Sequence, residues 1–114
     1  MLHELFIPYE LALLAKNKGF DEPCFGLFNP DEEFELLENT RNIENCRNSL
    51  VRDAVIMSPL YQQIIDWFRE KHYIKFSEIP LDFDEIRYGL SKKGEFIAIW
   101  ERDKAIEEAF KLIE

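Results

Sequence analysis

Two cysteines and two histidines are the side chains best suited to nucleophilic or metal chemistry in this chain of 114 residues. A zinc site needs three or four His, Cys or carboxylate ligands, and its usual signs are short spacings such as Cys-x-x-Cys or His-x-x-x-His. Neither spacing occurs, because Cys24 and Cys46 are far apart in sequence and so are His3 and His72. We therefore expect no metal, no cofactor and no catalytic thiol, with Cys24 acting as a small buried apolar side chain.

Carboxylates are the most numerous reactive groups, with 23 Asp and Glu against 14 Lys and Arg and a formal net charge of −9. Such a charge repels a nucleic-acid backbone, so we expect no direct binding to nucleic acid. Paired carboxylates can act as general acid and base where burial separates their pKa values, but those after Pro30 lie in a predicted turn, where they are solvated. Seven acids with no base among them form what we call the acidic stretch: Asp21, Glu22, Asp31, Glu32, Glu33, Glu35 and Glu38.

The acidic stretch has two interpretations. A negative surface can steer a cationic protein partner and so raise its association rate, which makes the stretch a candidate partner-facing surface. Charge on a hairpin edge also discourages strand-to-strand aggregation, which would make the stretch a solubilising edge with no partner. The sequence is compatible with both interpretations.

A second candidate surface lies on the predicted helix that follows Ser58. Aromatic rings beside an arginine can stack on a nucleotide base, and neutral amides can hydrogen-bond a ligand without adding charge. At helical spacing such rings are more often part of the core, and such amides more often keep the helix solvated. The four glycines form no Gly-x-Gly pattern, so no phosphate-binding loop is predicted. The ligand-facing candidates are Tyr61, Gln62, Gln63 and Arg69, with Trp67 between them in sequence.

The first half of the chain is predicted to hold one helix and one hairpin. Proline is favoured at the first helical position, and a glycine followed by an apolar residue, here Gly19 and Phe20, is typical of a Schellman ending. Asn29 and Pro30 favour a type I turn. The predicted elements are a helix at Pro8–Lys18, strands at Cys24–Asn29 and Phe34–Leu37, a surface connection at Glu38–Ser49, and a strand or buried lead-in at Leu50–Met57.

The second half is predicted to hold two helices separated by strands. Ser58 can cap a helix whose first position is Pro59, and apolar residues cover more than half of that helix, so we expect it in the core. Strand alternation places Phe96, Ala98 and Trp100 on one face. The predicted elements are helices at Ser58–His72 and Asp103–Ile113, strands at Tyr73–Phe76, Asp84–Leu90 and Glu95–Glu101, and a loop at Ser91–Gly94.

The order of elements is helix, strands, helix, strands, helix. This order, in a chain of ordinary domain size, predicts a single α+β domain over residues 1–114. We expect a small antiparallel sheet of about four or five strands in hairpins, packed by three helices. No apolar run reaches the roughly 18 to 20 residues of a membrane span, and the first residues lack the pattern of a signal peptide, so no membrane partner is expected.

Two pairs of segments resemble a known family. The segments PYELALLAK (Pro8–Lys16) with GFDEPCFG (Gly19–Gly26), and SPLYQQ (Ser58–Gln63) with WFREK (Trp67–Lys71), resemble a family of small uncharacterised proteins of Bacteroidetes-type bacteriophages and prophages. The resemblance covers about a third of the chain. It implies a phage or prophage origin and a cytoplasmic setting in the bacterial host cell, and it carries over no catalytic residue.

The function expected from these observations is that of a non-catalytic phage or prophage accessory protein, not an enzyme. It would bind a host or phage protein through the acidic stretch. The alternative is a protein that binds and sequesters a nucleotide or small molecule of host defence, and an enzyme comes third. The oligomeric state is open, with a homodimer as one option.

Overall fold

Three α-helices, two short 3-10 helices and six strands make up the described part of the chain, residues 2–37, 43–82 and 85–113 of a computed structural model. The α+β class is confirmed, but the single predicted sheet is in fact two three-stranded antiparallel sheets. The chain divides into two compact units, Met1–Gln63 and Ile64–Glu114, with the boundary inside the second α-helix. The single domain stays a prediction. Across the described ranges, no helix is long and apolar enough to cross a membrane.

The first unit begins with a 3-10 helix, Leu2–Leu5, and helix α1, Tyr9–Asn17. Pro8 lies one position before the helix, in extended conformation, and not at the first helical position as predicted. The predicted Schellman ending is confirmed, because Gly19 has a φ of 90° and the N–H of Phe20 donates to the Ala15 carbonyl at 2.9 Å. The ring of Phe20 is thereby turned into the core of this unit.

The sheet of the first unit contains β1 (Gly26–Phe28), β2 (Phe34–Leu36) and β3 (Ile56–Ser58) in the order β2-β1-β3. Between β2 and β3 lies a 3-10 helix, Ile43–Asn45. The residues 38–42 of the predicted surface connection lie outside the described residues. Of the stretch predicted as a strand or lead-in, only its last residues belong to β3, which is fully buried.

The predicted cap at Ser58 is wrong. Helix α2 spans Tyr61–His72, and Ser58 is the last residue of β3, fully buried, with its hydroxyl donating to the Ile7 carbonyl at 2.9 Å. The N–H of Ile7 donates in turn to the Pro59 carbonyl at 3.0 Å. Ser58 and Pro59 are therefore held in an extended segment by residues far away in sequence, and the helix begins only after that segment.

The second unit contains an antiparallel meander of β4 (Ile74–Pro80), β5 (Ile86–Lys92) and β6 (Glu95–Trp100), followed by helix α3 (Arg102–Lys111). Asp84, where the predicted middle strand began, lies outside the described residues. Strands β5 and β6 meet at a two-residue turn, which is shorter than the predicted loop. Lys93 and Gly94 both have positive φ, 52° and 87°, as a type I′ turn requires.

The core of the second unit is aromatic. Helix α3 packs on β5 and β6, as predicted. Phe68 of α2 is fully buried, and the centre of its ring lies 4.9 Å from that of Phe110 on α3 and 5.5 Å from that of Phe76 on β4. The expectation that α2 contributes to the core is confirmed by the burial of Phe68 together with Ile64 and Trp67.

A bulge in β6 overturns the predicted face of Phe96. Leu90 pairs with Ala98, whereas the next residue of β5, Ser91, pairs with Phe96, so that Ile97 is an extra residue. A bulge of this kind reverses the alternation of side chains on its strand. Phe96 therefore lies on the face opposite Ala98, where it is 62% exposed.

Candidate functional site

The turn between β1 and β2 carries the densest group of acids in the described residues. Asn29 to Glu33 connect the two strands, and the predicted turn is confirmed by the N–H of Glu32, which donates to the Asn29 carbonyl at 2.8 Å. All four acids on this turn and on β2 are exposed. We call them the acidic hairpin: Asp31, Glu32, Glu33 and Glu35.

Asn29 holds the acidic hairpin in one conformation. Its side-chain oxygen accepts hydrogen bonds from the N–H groups of Asp31 at 2.9 Å and Glu33 at 3.0 Å. Its side-chain nitrogen donates to the Glu35 carboxylate at 2.8 Å. Glu32 completes the turn with a φ of 64°, a left-handed conformation. The acids are therefore presented on an ordered turn and not on a loose loop.

The four carboxylates of the acidic hairpin form no ion pair with any residue that the structure describes. Helix α3 shows the contrasting arrangement. There Glu108 lies 2.7 Å from the Lys111 ammonium and 3.3 Å from that of Lys104, and these two lysines lower the pKa of the carboxyl. The negative charge of the acidic hairpin is thus uncompensated by any base that the structure describes.

The other members of the acidic stretch do not extend this surface. Asp21 is half-buried, and its carboxylate accepts a hydrogen bond from the N–H of Ser49 at 2.7 Å while its carbonyl accepts one from Arg47 at 3.3 Å. Asp21 therefore helps to fix the turn at residues 47–50. Glu22 is also half-buried, and its carbonyl accepts from the Cys24 thiol at 3.4 Å. Glu38 lies outside the described residues.

The ligand-facing candidates on α2 take several separate roles. Gln63 donates to the Pro23 carbonyl at 2.7 Å, which ties α2 to the segment before β1. Arg69 lies 3.3 Å from Asp66 and 3.8 Å from Glu70, so its charge is compensated on the helix itself. Trp67 is buried in the core. Tyr61 is half-buried and Gln62 is exposed, but neither lines a depression described below.

The cysteines and histidines are not gathered into a reactive centre. Cys24 is fully buried, and burial, with smaller effects from Glu22 and Cys46, raises the pKa of its thiol to about 12. Within the described ranges, no group of three or more His, Cys, Asp or Glu side chains is placed to hold a metal ion. His3 is exposed, and the centre of its ring lies 6.3 Å from that of Phe34.

A surface depression of about 340 Å³ lies in the first unit between Gly19, Phe20 and residues 48–49. Its polar groups are used by the fold. The Lys16 ammonium donates to the carbonyls of Asp53 and Val55 at 2.7 and 3.0 Å, and the Asn48 amide donates to the Phe20 carbonyl at 2.9 Å. This depression offers a ligand few uncommitted polar groups.

A second depression, of about 220 Å³, lies in the second unit at the end of α2 and was missed by the sequence analysis. It is lined by basic side chains from α2 and from the turn between β5 and β6. The sequence signal was the pair Lys71-His72 and the pair Lys92-Lys93, which begin 21 residues apart. Only the pairing of β4 with β5, which sets Ile74 opposite Lys92, reveals that the two pairs are neighbours.

Comparison of the chain with protein-family models, with curated proteins and with solved structures found no match.

Proposed function

We propose that this protein is a non-catalytic binding protein of phage or prophage origin, which acts in the cytoplasm of its bacterial host. It binds a basic surface of a host or phage protein through the acidic hairpin. The observation that carries this proposal is the set of four exposed carboxylates on one ordered turn and the strand that follows it, with no ion pair among the described residues.

Physical chemistry supports this use of the hairpin. Clustered charges of one sign create a local potential that speeds the approach of an oppositely charged partner. Because Asn29 already fixes the turn, little conformational freedom of the backbone is lost on binding. At about 0.1 M salt the field extends about 10 Å from the surface, so the partner must carry its positive charge close to the contact.

The competing explanation is that the acids only protect an exposed strand. Strand β2 is an edge of its sheet, and charged side chains on edge strands prevent aggregation. Under this explanation, removal of the charges would promote self-association and would leave heterologous binding unchanged. The two explanations therefore give opposite results in a capture experiment.

The capture experiment compares three tagged forms of the protein in a lysate of Bacteroidetes cells at low and high salt. They are the wild type, a hairpin variant and a scattered variant, and each variant takes the formal net charge from −9 to −5. The scattered variant is a matched control, because it neutralises four exposed acids that lie outside the hairpin and form no ion pair with any described residue. The hairpin variant carries Asp31→Asn, Glu32→Gln, Glu33→Gln and Glu35→Gln, and the scattered variant carries Glu4→Gln, Glu10→Gln, Asp53→Asn and Glu78→Gln.

We expect a basic protein to be retained by the wild type and the scattered variant at low salt, and to be lost with the hairpin variant. Far-ultraviolet circular dichroism checks that all three forms are folded. Equal retention by the two variants would show that net charge, and not the hairpin, attracts the partner. Retention of no protein by the wild type would also contradict the proposal.

A further inference from the structure

The depression at the end of α2 collects positive charge in a chain of strongly negative net charge. Lys71 from the last turn of α2 supplies this charge together with Lys92 and Lys93 from the end of β5 and its turn. His72 also lines the depression, but burial and, less strongly, Lys92 lower the pKa of its ring. The remaining lining residues are Tyr73 and the two residues that follow α3, so no carboxylate lines the depression among the residues that the structure describes.

The ends of the helices account for only part of this charge. Carbonyl groups at a helix C-terminus attract cations, and the Lys92 ammonium serves that purpose by donating to the Leu112 carbonyl after α3 at 2.6 Å. Lys71 and Lys93 are exposed and form no ion pair within the described part of the chain. Two exposed ammonium groups with no ion pair in the described residues therefore border the depression.

The backbone at the depression is held in an unfavourable conformation. Tyr73 has a φ of 58° and Lys93 a φ of 52°, and these are two of the three non-glycine residues with positive φ in the described ranges. The N–H of Lys93 donates to the Tyr73 carbonyl at 3.2 Å, and the φ of Lys93 is the one that its type I′ turn requires. The positive φ of a residue as bulky as Tyr73 has no such turn to explain it; conformations of this kind cost free energy and cluster at ligand-binding sites.

The conformation of Tyr73 leaves its ring available to a ligand. The side chain is 69% exposed although the ring is large and apolar, and it borders the cationic depression. An exposed aromatic ring beside ammonium groups combines a surface on which a base can stack with charges that attract phosphate.

From these observations we infer that the depression is a binding site for a nucleoside phosphate. The phosphate group lies against Lys71 and Lys93, and the base stacks on Tyr73. A volume of about 220 Å³ is smaller than the roughly 300 to 1,000 Å³ of pockets that enclose a whole ligand. It suits the charged part of the ligand, with the base outside on the ring. This site shares no residue with the acidic hairpin and goes beyond the proposed function.

Isothermal titration calorimetry of the full chain tests this inference with four probes: ATP, adenosine, pyrophosphate and inorganic phosphate. We expect ATP to bind more tightly than pyrophosphate, and adenosine to bind weakest. Amide NMR of the ATP complex locates the site, and we expect the largest shifts at residues 71–73 and 92–94.

Three variants separate the contributions. The double substitution Lys71→Gln with Lys93→Gln should weaken the affinity for ATP by about tenfold or more, because charge-assisted hydrogen bonds to the phosphates are lost. Tyr73→Asn removes the ring and introduces a residue that tolerates a positive φ. It should weaken the affinity for ATP by about fivefold or more and leave the affinity for pyrophosphate unchanged. Lys18→Gln with Lys75→Gln is the matched control, because both lysines are exposed and without an ion pair in the described residues, and it should change ATP binding less than twofold.

The inference is overturned if the wild type binds none of the probes at millimolar concentration. It is also overturned if the control variant reduces the affinity for ATP as much as the double substitution Lys71→Gln with Lys93→Gln does. Adenosine binding as tightly as ATP would overturn the role of the lysines. If pyrophosphate binds as tightly as ATP and Tyr73→Asn does not change the affinity for ATP, the claim that the base stacks on Tyr73 is overturned. If Tyr73→Asn does not fold, as judged by circular dichroism, the lysine variants and the comparison of probes still decide the question.

Discussion

Replacement of Phe68 by alanine should destabilise the protein more than any surface change. Phe68 is fully buried, and the centre of its ring lies 5.2, 5.5 and 4.9 Å from those of Trp67, Phe76 and Phe110, and 6.5 Å from that of His72. Truncation of a buried phenylalanine costs about 3 to 5 kcal/mol, and each favourable aromatic pair contributes about 0.5 to 1.5 kcal/mol beyond the buried area. The measured truncation cost already includes such pairs, and because Phe68 loses three close ones we expect the upper part of that range, about 4 to 5 kcal/mol. This is a large part of the roughly 5 to 15 kcal/mol that stabilises a domain.

Urea unfolding followed by circular dichroism measures this loss as a change in the free energy of unfolding. The matched control is Phe96→Ala, the same change at a residue of the same unit that is 62% exposed, and it should alter stability by no more than about 0.5 kcal/mol. If Phe68→Ala does not fold, Phe68→Leu should lose about 1 to 2 kcal/mol, because most of the side-chain volume is kept. Equal losses for Phe68→Ala and Phe96→Ala would refute the aromatic core described above.

Three further measurements follow from the same structure. Asn29→Ala should lower the free energy of unfolding by about 1 to 2 kcal/mol, because two backbone N–H groups of the turn lose their acceptor; an unchanged urea midpoint would contradict this role. Cys24 should resist iodoacetamide at pH 8 until the protein is denatured, because its pKa is about 12 and it is fully buried; mass spectrometry that found it modified as fast as Cys46 would disagree. Burial, with a smaller effect from Lys92, lowers the pKa of His72 below its ordinary value of 6.5. The unfolded chain therefore binds the proton more strongly than the folded protein does, and the free energy of unfolding should fall as the pH drops below 6.5. An NMR titration of the His72 ring that gave a pKa of 6.5 or higher would exclude this.

Local sequence signals predicted those parts of the fold that local interactions decide. The ending of α1 at Gly19 depends on neighbouring residues, and so does the turn at Asn29, and both are confirmed. The prediction that Ser58 caps a helix was wrong because its hydroxyl donates a hydrogen bond to a partner far away in sequence, the Ile7 carbonyl. The face of Phe96 was wrong because a bulge is a property of two paired strands and leaves no sign in one of them.

The candidate surfaces also differ in whether local sequence or long-range contacts form them. The acidic hairpin could be predicted, because its acids are consecutive or nearly so and a hairpin turn is solvated. Asp21 belongs to the same charge run in sequence, but its contact with Ser49 removes it from that surface. The basic depression could not be predicted, because Lys71 and Lys93 become neighbours only through the pairing of β4 with β5.

The association rate of the captured partner, measured at about 20 and about 200 mM salt, tests the central claim most directly. We expect the hairpin variant to bind about tenfold more slowly than the wild type at low salt and to lose most of the salt dependence, since the acidic hairpin supplies the attracting field. The scattered variant has the same net charge as the hairpin variant, but it should keep most of the wild-type association rate and most of its salt dependence. Identical association rates and salt dependences for the two variants would contradict the claim that the acidic hairpin is the binding surface.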